Sequence, residues 1–160
     1  MTPDDRSILI KQYREGVSLL RQAYDEAPHA MLTWRPGPDD WSIHEIVCHC
    51  ADTEIVASTR IRMLLAEPAP QITAFDQDTW ARSLHYDRLS PDVAFTIIEA
   101  TRAWTSPLLD DMSETQWTRT GVHSAAGPYS ADNWLKTFSS HLQGHADQIR
   151  DNIDAWKRSS

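Results

Sequence analysis

Residues 41–52 read Trp-Ser-Ile-His-Glu-Ile-Val-Cys-His-Cys-Ala-Asp. Ser42 stands three positions ahead of Glu45, the spacing of a capping box: the hydroxyl accepts an amide hydrogen of the first helical turn while the carboxylate reaches back. An apolar stripe follows at mostly three- and four-residue steps, through Ile43, Ile46, Val47, Cys50, Ala57, Ile61, Leu64 and Leu65. Glu67-Pro68-Ala69-Pro70 ends it, because a proline disfavours helical backbone at the residue before it. The pattern predicts a helix from Ser42 to about Glu67, with one apolar face.

Three further stretches carry the same signature. Ile8, Ile10, Tyr13, Val17, Leu20 and Tyr24 predict a helix from Asp4 to Glu26, closed by Pro28. Ser90-Pro91-Asp92 is a cap with proline in the first turn, ahead of Val93, Phe95, Ile97, Ile98, Trp104, Leu108 and Leu109. Pro107 is expected to kink or restart that helix. Ser130 caps a last long helix carrying Trp134, Leu135, Phe138, Leu142, Ile149, Ile153 and Trp156. Two connections of roughly 15 to 25 residues lie between the last three helices and hold Trp80, His85, Trp117 and His123. The expected fold is all-α, a four-helix bundle with long inter-helix loops, forming one domain over residues 1–160.

The 160 residues suit one core, and 41% hydrophobic with 24% charged residues is ordinary globular composition. Fifteen Lys and Arg against 23 Asp and Glu give a net charge of −8, which disfavours nucleic acid and anionic membranes as partners. No signal peptide, membrane span or internal repeat is visible. Cys48 and Cys50 are too close along the chain for an unstrained bridge, and a reducing, cytoplasmic setting is expected.

The five glycines form no phosphate-cradling loop, which disfavours nucleotide chemistry. His44-Glu45 and His49 come close to the zinc-protease H-E-x-x-H, but a spacing of five turns the second ring by about 140°. His141 and His145 differ: four residues rotate a helix by about 40° and raise it about 6 Å, so both rings share a face. That face is also apolar, so both should point into the core, where unpaired polar groups cost about 1–3 kcal/mol. A metal would satisfy both, and so would side chains or carbonyls of an ordinary core. His49 shares a face with Ile46, Cys50 and Thr53 and can approach the interior; three imidazoles with an open position are a catalytic zinc arrangement.

The segment from Trp41 to Asp52, with His141-Leu142-Gln143-Gly144-His145-Ala146-Asp147-Gln148-Ile149, resembles the DinB/YfiT-like superfamily of candidate metal-dependent hydrolases and thiol transferases. The resemblance covers most of the chain: the helix order, the Trp-Ser start, His49 and the late H-x-x-x-H all fall in register. It implies a four-helix bundle, frequent homodimers, and one divalent ion, nickel or zinc, on His49, His141 and His145. Gly144 replaces the first histidine of the His-His pair of some members, and Cys48 precedes His49 where other residues are usual; neither removes a ligand.

Asp52 and Gln148 each follow a histidine by three residues and can orient a ring. Cys50 is a possible soft ligand, although Cys48 and Cys50 diverge by about 200° and read better as small core residues. His85 and His123 are possible loop ligands or proton shuttles. Trp34 and Trp41 are expected to pack at the entrance to the second helix, and Trp80 and Trp117 in the core or beside a pocket. Ser139 and Ser140 do not pair with His141 as a nucleophile, since adjacent helix positions face apart. The reading is a metal-dependent hydrolase or thiol S-transferase acting on a small molecule. The alternative is a non-catalytic bundle for ligand binding or dimerisation.

Overall fold

The computed structural model describes residues 1–159. Its frame is four long helices, α1 (Pro3–Asp25), α2 (Ile43–Ala66), α4 (Pro91–Asp110) and α6 (Ala131–Ser159). Each starts where a side chain can take up orphaned amides. Thr2 and Ser42 form capping boxes with Asp5 and Glu45, and Ser90 accepts from the amide of Val93. Ser130 accepts from the Asn133 amide at 3.2 Å and donates its own to the Asn133 side chain at 2.9 Å. α6 lies along α1 and also touches α2, while α2 packs on α4.

The connections are more structured than loops. Between α2 and α4 lie strand β1 (Gln71–Ile72) and helix α3 (Gln77–Ser83); between α4 and α6 lie helix α5 (Glu114–Thr118) and strands β2 (Thr120–His123) and β3 (Gly127–Ser130). β1 runs parallel to β2, with Ile72 opposite His123, and β2 pairs antiparallel with β3, with His123 opposite Gly127. Gly127, at φ 73, supplies the left-handed residue the hairpin needs. Gly121 lets β2 approach β1, since a Cβ there would sit 2.7 Å from the Pro70 carbonyl oxygen. Strands of two to four residues are too short to show an alternating pattern, which is why they read as loop.

Two details of the expected helices change. α4 runs unbroken through Pro107, which lies near its C-terminal end and faces solvent. Trp104 is 74% exposed instead of lying on the inner stripe. The inward face carries Ala94, Phe95, Ile98, Arg102, Thr105 and Leu109, so two of its six positions are polar.

Two apolar clusters fill the bundle. One gathers Leu20, Ile46, Phe95, Leu142 and Ile149, the other Tyr13, Ile61, Leu64, Trp117, Trp134 and Phe138. His141 falls between Phe138 of one and Leu142 of the other.

Candidate metal centre

His49 sits in the second turn of α2, fixed by the cap at Ser42. Glu45 is buried there, accepting from the Ser42 amide and pairing with Arg35. His141 and His145 come one turn apart from α6. The structure brings the three rings together, with centroids 4.6 Å apart for His141–His145, 4.8 Å for His49–His145 and 5.5 Å for His49–His141. One ring nitrogen from each lies within 4.8 Å of the others. The Nε2 atoms of His141 and His145 are 3.2 Å apart.

The surroundings fix which nitrogens are free. His145 Nδ1 donates to the Gln148 side-chain oxygen at 2.8 Å, so Nε2 carries the lone pair. Among the described residues, Nδ1 of His141 is buried without a hydrogen-bond partner. Thr53 Oγ is 3.3 and 3.4 Å from the two nitrogens of His49, so it sits on the bisector between them and serves neither well. Trp41 covers His49, with ring centroids 4.7 Å apart.

Burial, with the neighbouring imidazoles adding to it, pushes His49 down to about 3 and His141 down to about 2. His145 is lowered too, by burial against the opposing pull of Gln148. All three are neutral near pH 7 and have lone pairs to give. Ligands about 2.0–2.1 Å from a tetrahedral zinc stand about 3.3 Å from one another, close to the His141–His145 separation. The donor set fits a divalent ion.

Two openings flank the cluster. One, of about 240 Å³, is lined by His49, His141, Arg60, Phe75, His123 and Thr137, among others. The other, of about 200 Å³, reaches His145 and Gln148 past Asp39, Asp40 and Asp78. Gln77, the first residue of α3, borders both.

The remaining candidates separate. Gln148 does orient His145, whereas Asp52 does not reach a histidine: it accepts a 2.6 Å hydrogen bond from the Tyr86 hydroxyl. His44 turns away, its Nε2 bonded to the Leu89 carbonyl at 2.6 Å. His85 begins a short turn after α3 with φ 54, outside the cluster. His123 lies at the wider opening. Cys48 and Cys50 are buried free thiols, and burial pushes Cys48 up to about 12 and Cys50 well above the usual thiol range, which makes them poor ligands. Trp117 is a core residue, and Trp80 leans on Phe75 at 4.5 Å. Sequence reading missed Arg60. It follows His49 by eleven residues, about 20° from the same helical azimuth, and that spacing was the available signal.

Fold and site together define a four-helix bundle built around a histidine cluster. The chain belongs to the DinB superfamily, whose pattern it matches over residues 12–149. It is 28% identical over 109 residues to a candidate metal-dependent hydrolase of Oceanobacillus iheyensis, covering 68% of this chain but less than two thirds, 63%, of that one. A candidate metal-dependent hydrolase of Bacillus licheniformis is 23% identical over 145 residues, 88% of this chain and 81% of that one. Among solved structures, YfiT of Bacillus subtilis, described as a candidate metal-dependent hydrolase with an unusual four-helix bundle topology, superposes with a TM-score of 0.87 at 19% identity. That match covers 95% of this chain and 87% of YfiT. A mycothiol-dependent maleylpyruvate isomerase superposes with a TM-score of 0.72 at 15% identity, over 93% of this chain and 63% of that one. These structural likenesses establish the bundle.

Proposed function

We propose that His49, His141 and His145 hold one divalent metal ion, zinc or nickel, and that the protein is a metal-dependent hydrolase or thiol S-transferase acting on a small molecule. One observation carries this reading: three imidazoles, His49 buried and His141 and His145 half-buried, converge with no counter-charge and no adequate protein partner for His49 or for Nδ1 of His141. A core without a ligand would leave that polarity uncompensated. The names of the relatives support it.

When bound, such an ion acts as a Lewis acid and lowers the pKa of a coordinated water or thiol. The chain's own part is positioning. Gln148 holds the proton of His145 at Nδ1 and leaves Nε2 free. Trp41 covers one side of His49 and limits water there. The openings beside Arg60 and Gln148 give a substrate access to the cluster.

Elemental analysis of protein purified without a histidine tag should give close to one zinc or nickel per chain, and His145→Ala should give little. Metal far below one ion per chain, even after reconstitution with both ions, would overturn the proposal. Ester and amide panels, against a thiol offered with an electrophile, then separate hydrolysis from thiol transfer.

A further inference from the structure

We infer that the opening beside His49 and His141 is an anion site in which Arg60 and His123 hold the carboxylate of a small, partly apolar substrate. The inference rests on the reading of the histidine cluster as the reacting centre and names the substrate class it serves.

The first observation is an arginine without an acid. Arg6, Arg14, Arg102 and Arg150 pair with Asp132, Asp110, Glu54 and Glu26 at 2.6–3.0 Å, and Arg35 pairs with Glu45. Arg60, half-buried, has no carboxylate partner among the described residues, in a chain with eight more acidic than basic residues. It donates to the Thr73 carbonyl at 2.8 Å, and its guanidinium carbon lies 5.8 Å from the Phe75 ring centre. That leaves most of its planar fork of donors, the shape that matches a carboxylate in two parallel hydrogen bonds.

His123 supplies a second donor to the same cavity. Its Nδ1 accepts from the amides of Ala125 and Ala126, each at 3.2 Å, so the proton of the neutral ring sits on Nε2. The rest of the lining is mostly apolar or uncharged: Ala74, Phe75, Phe138, Thr53, Thr137 and Gln77. No carboxylate lines it, whereas Asp39, Asp40 and Asp78 line the opposite opening. An anion is therefore favoured on the Arg60 side and repelled on the other, and an apolar body attached to it meets Phe75 and Phe138.

Benzoate and its uncharged isostere benzamide test this by calorimetric or fluorescence titration of protein held in EDTA, where neither probe can ligate an ion. Benzoate should bind at least tenfold more tightly than benzamide. Arg60→Gln should erase the preference, and Arg60→Lys, which keeps charge but loses the fork, should cut it at least threefold. Equal binding of the two probes by the parent, or a full preference in either variant, would overturn the inference. If Arg60→Gln does not fold, the parent comparison and the lysine variant still decide. Metal content is measured separately, so a chain without metal that discriminates the probes counts against the three-histidine reading alone. A metallated chain that does not discriminate them counts against this inference alone.

Discussion

His49 and Glu54 lie five residues apart on α2, both essentially inaccessible to water, and each anchors a buried polar cluster. Glu54 accepts from Arg102 at 2.7 Å; Arg102 also donates to the backbone carbonyls of Tyr13 and Phe138 and lies 4.0 Å from the Tyr13 ring centre. The Tyr13 hydroxyl donates back to Glu54 at 3.4 Å. Gly16 makes room, since a Cβ there would sit 2.7 Å from Arg102. Here opposite charges from α2 and α4 neutralise one another, with carbonyls of α1 and α6 as further acceptors. Each cluster leaves one buried nitrogen unpartnered, Arg102 Nε in the first and His141 Nδ1 in the second, but the histidine cluster brings together three groups of the same kind with no acid among them. Buried charges that neutralise one another bind the helices together; like groups that converge without a counter-charge are a place prepared for something else.

The largest effect expected from this contrast is at the ion-paired cluster. Glu54→Leu leaves the Arg102 guanidinium buried and unpaired and should cost about 3–5 kcal/mol, read by urea unfolding. Adding Arg102→Met should recover most of that loss, because an apolar pair of similar volume replaces the ion pair without an orphaned charge. Metal content of the double variant should match the parent. A small loss in the single variant would mean that the ion-paired cluster contributes little.

The histidine cluster should respond to ligand instead. A metal that binds only the folded chain stabilises it by about 2.7 kcal/mol at a hundredfold excess over Kd. Zinc or nickel should therefore raise the Tm of the parent and of His44→Ala, whose ring lies on the Leu89 carbonyl, but hardly that of His145→Ala. His145→Ala should keep its helical signal, because the seam from Trp134 to Ile153 is intact. Equal shifts in all three proteins would put the metal elsewhere.

Acid separates the clusters by a smaller margin. In metal-stripped protein, His49 and His141 are held near 3 and 2 in the fold against about 6.5 in an unfolded chain. The unfolded chain therefore takes up protons first as pH falls. The stability these neutral rings allow is complete above about pH 6.5 and declines below it, by up to about 1.4 kcal/mol per pH unit for each group. His141→Gln should flatten the fall between pH 6.5 and 5, where most carboxylates stay ionised. An unchanged slope would assign it to groups other than His141.

The same contrast explains what could be read from sequence. His141 and His145 were legible because one helical turn separates them and their seam is apolar, and Ser42 with Glu45 announced the start of α2. That His49 meets them depends on how α2 packs against α6, which no local pattern contains; the family resemblance supplied it. Arg102 was illegible because a charged residue on an inward stripe looks like a surface residue until Glu54 is placed opposite, so Trp104 took its place in the expected stripe. The hairpin that presents His123 was hidden by the shortness of its strands. Arg60 was hidden by distance, three turns beyond His49 and opposite a cavity made by residues from the far connections.

Asp52 gives the smallest and most selective test. Its position three residues after His49 suggests a carboxylate that steers the ring, but its partner in the fold is Tyr86, fully buried and donating at 2.6 Å. The neighbouring carboxylate, together with the larger effect of burial, raises the tyrosine's pKa well above its ordinary value, so the phenol stays protonated and donates throughout the physiological range. Tyr86→Phe removes one hydrogen bond to a charged acceptor, about 1.5–3 kcal/mol, reduced here because Asp52 is only partly buried and can turn to water. The expected loss is therefore about 1 kcal/mol by urea unfolding. Because this pair ties α2 to the turn after α3 and touches no histidine, zinc or nickel should raise the Tm of Tyr86→Phe as much as that of the parent. A variant that kept its stability but lost its response to metal would show that Asp52 acts on the cluster after all.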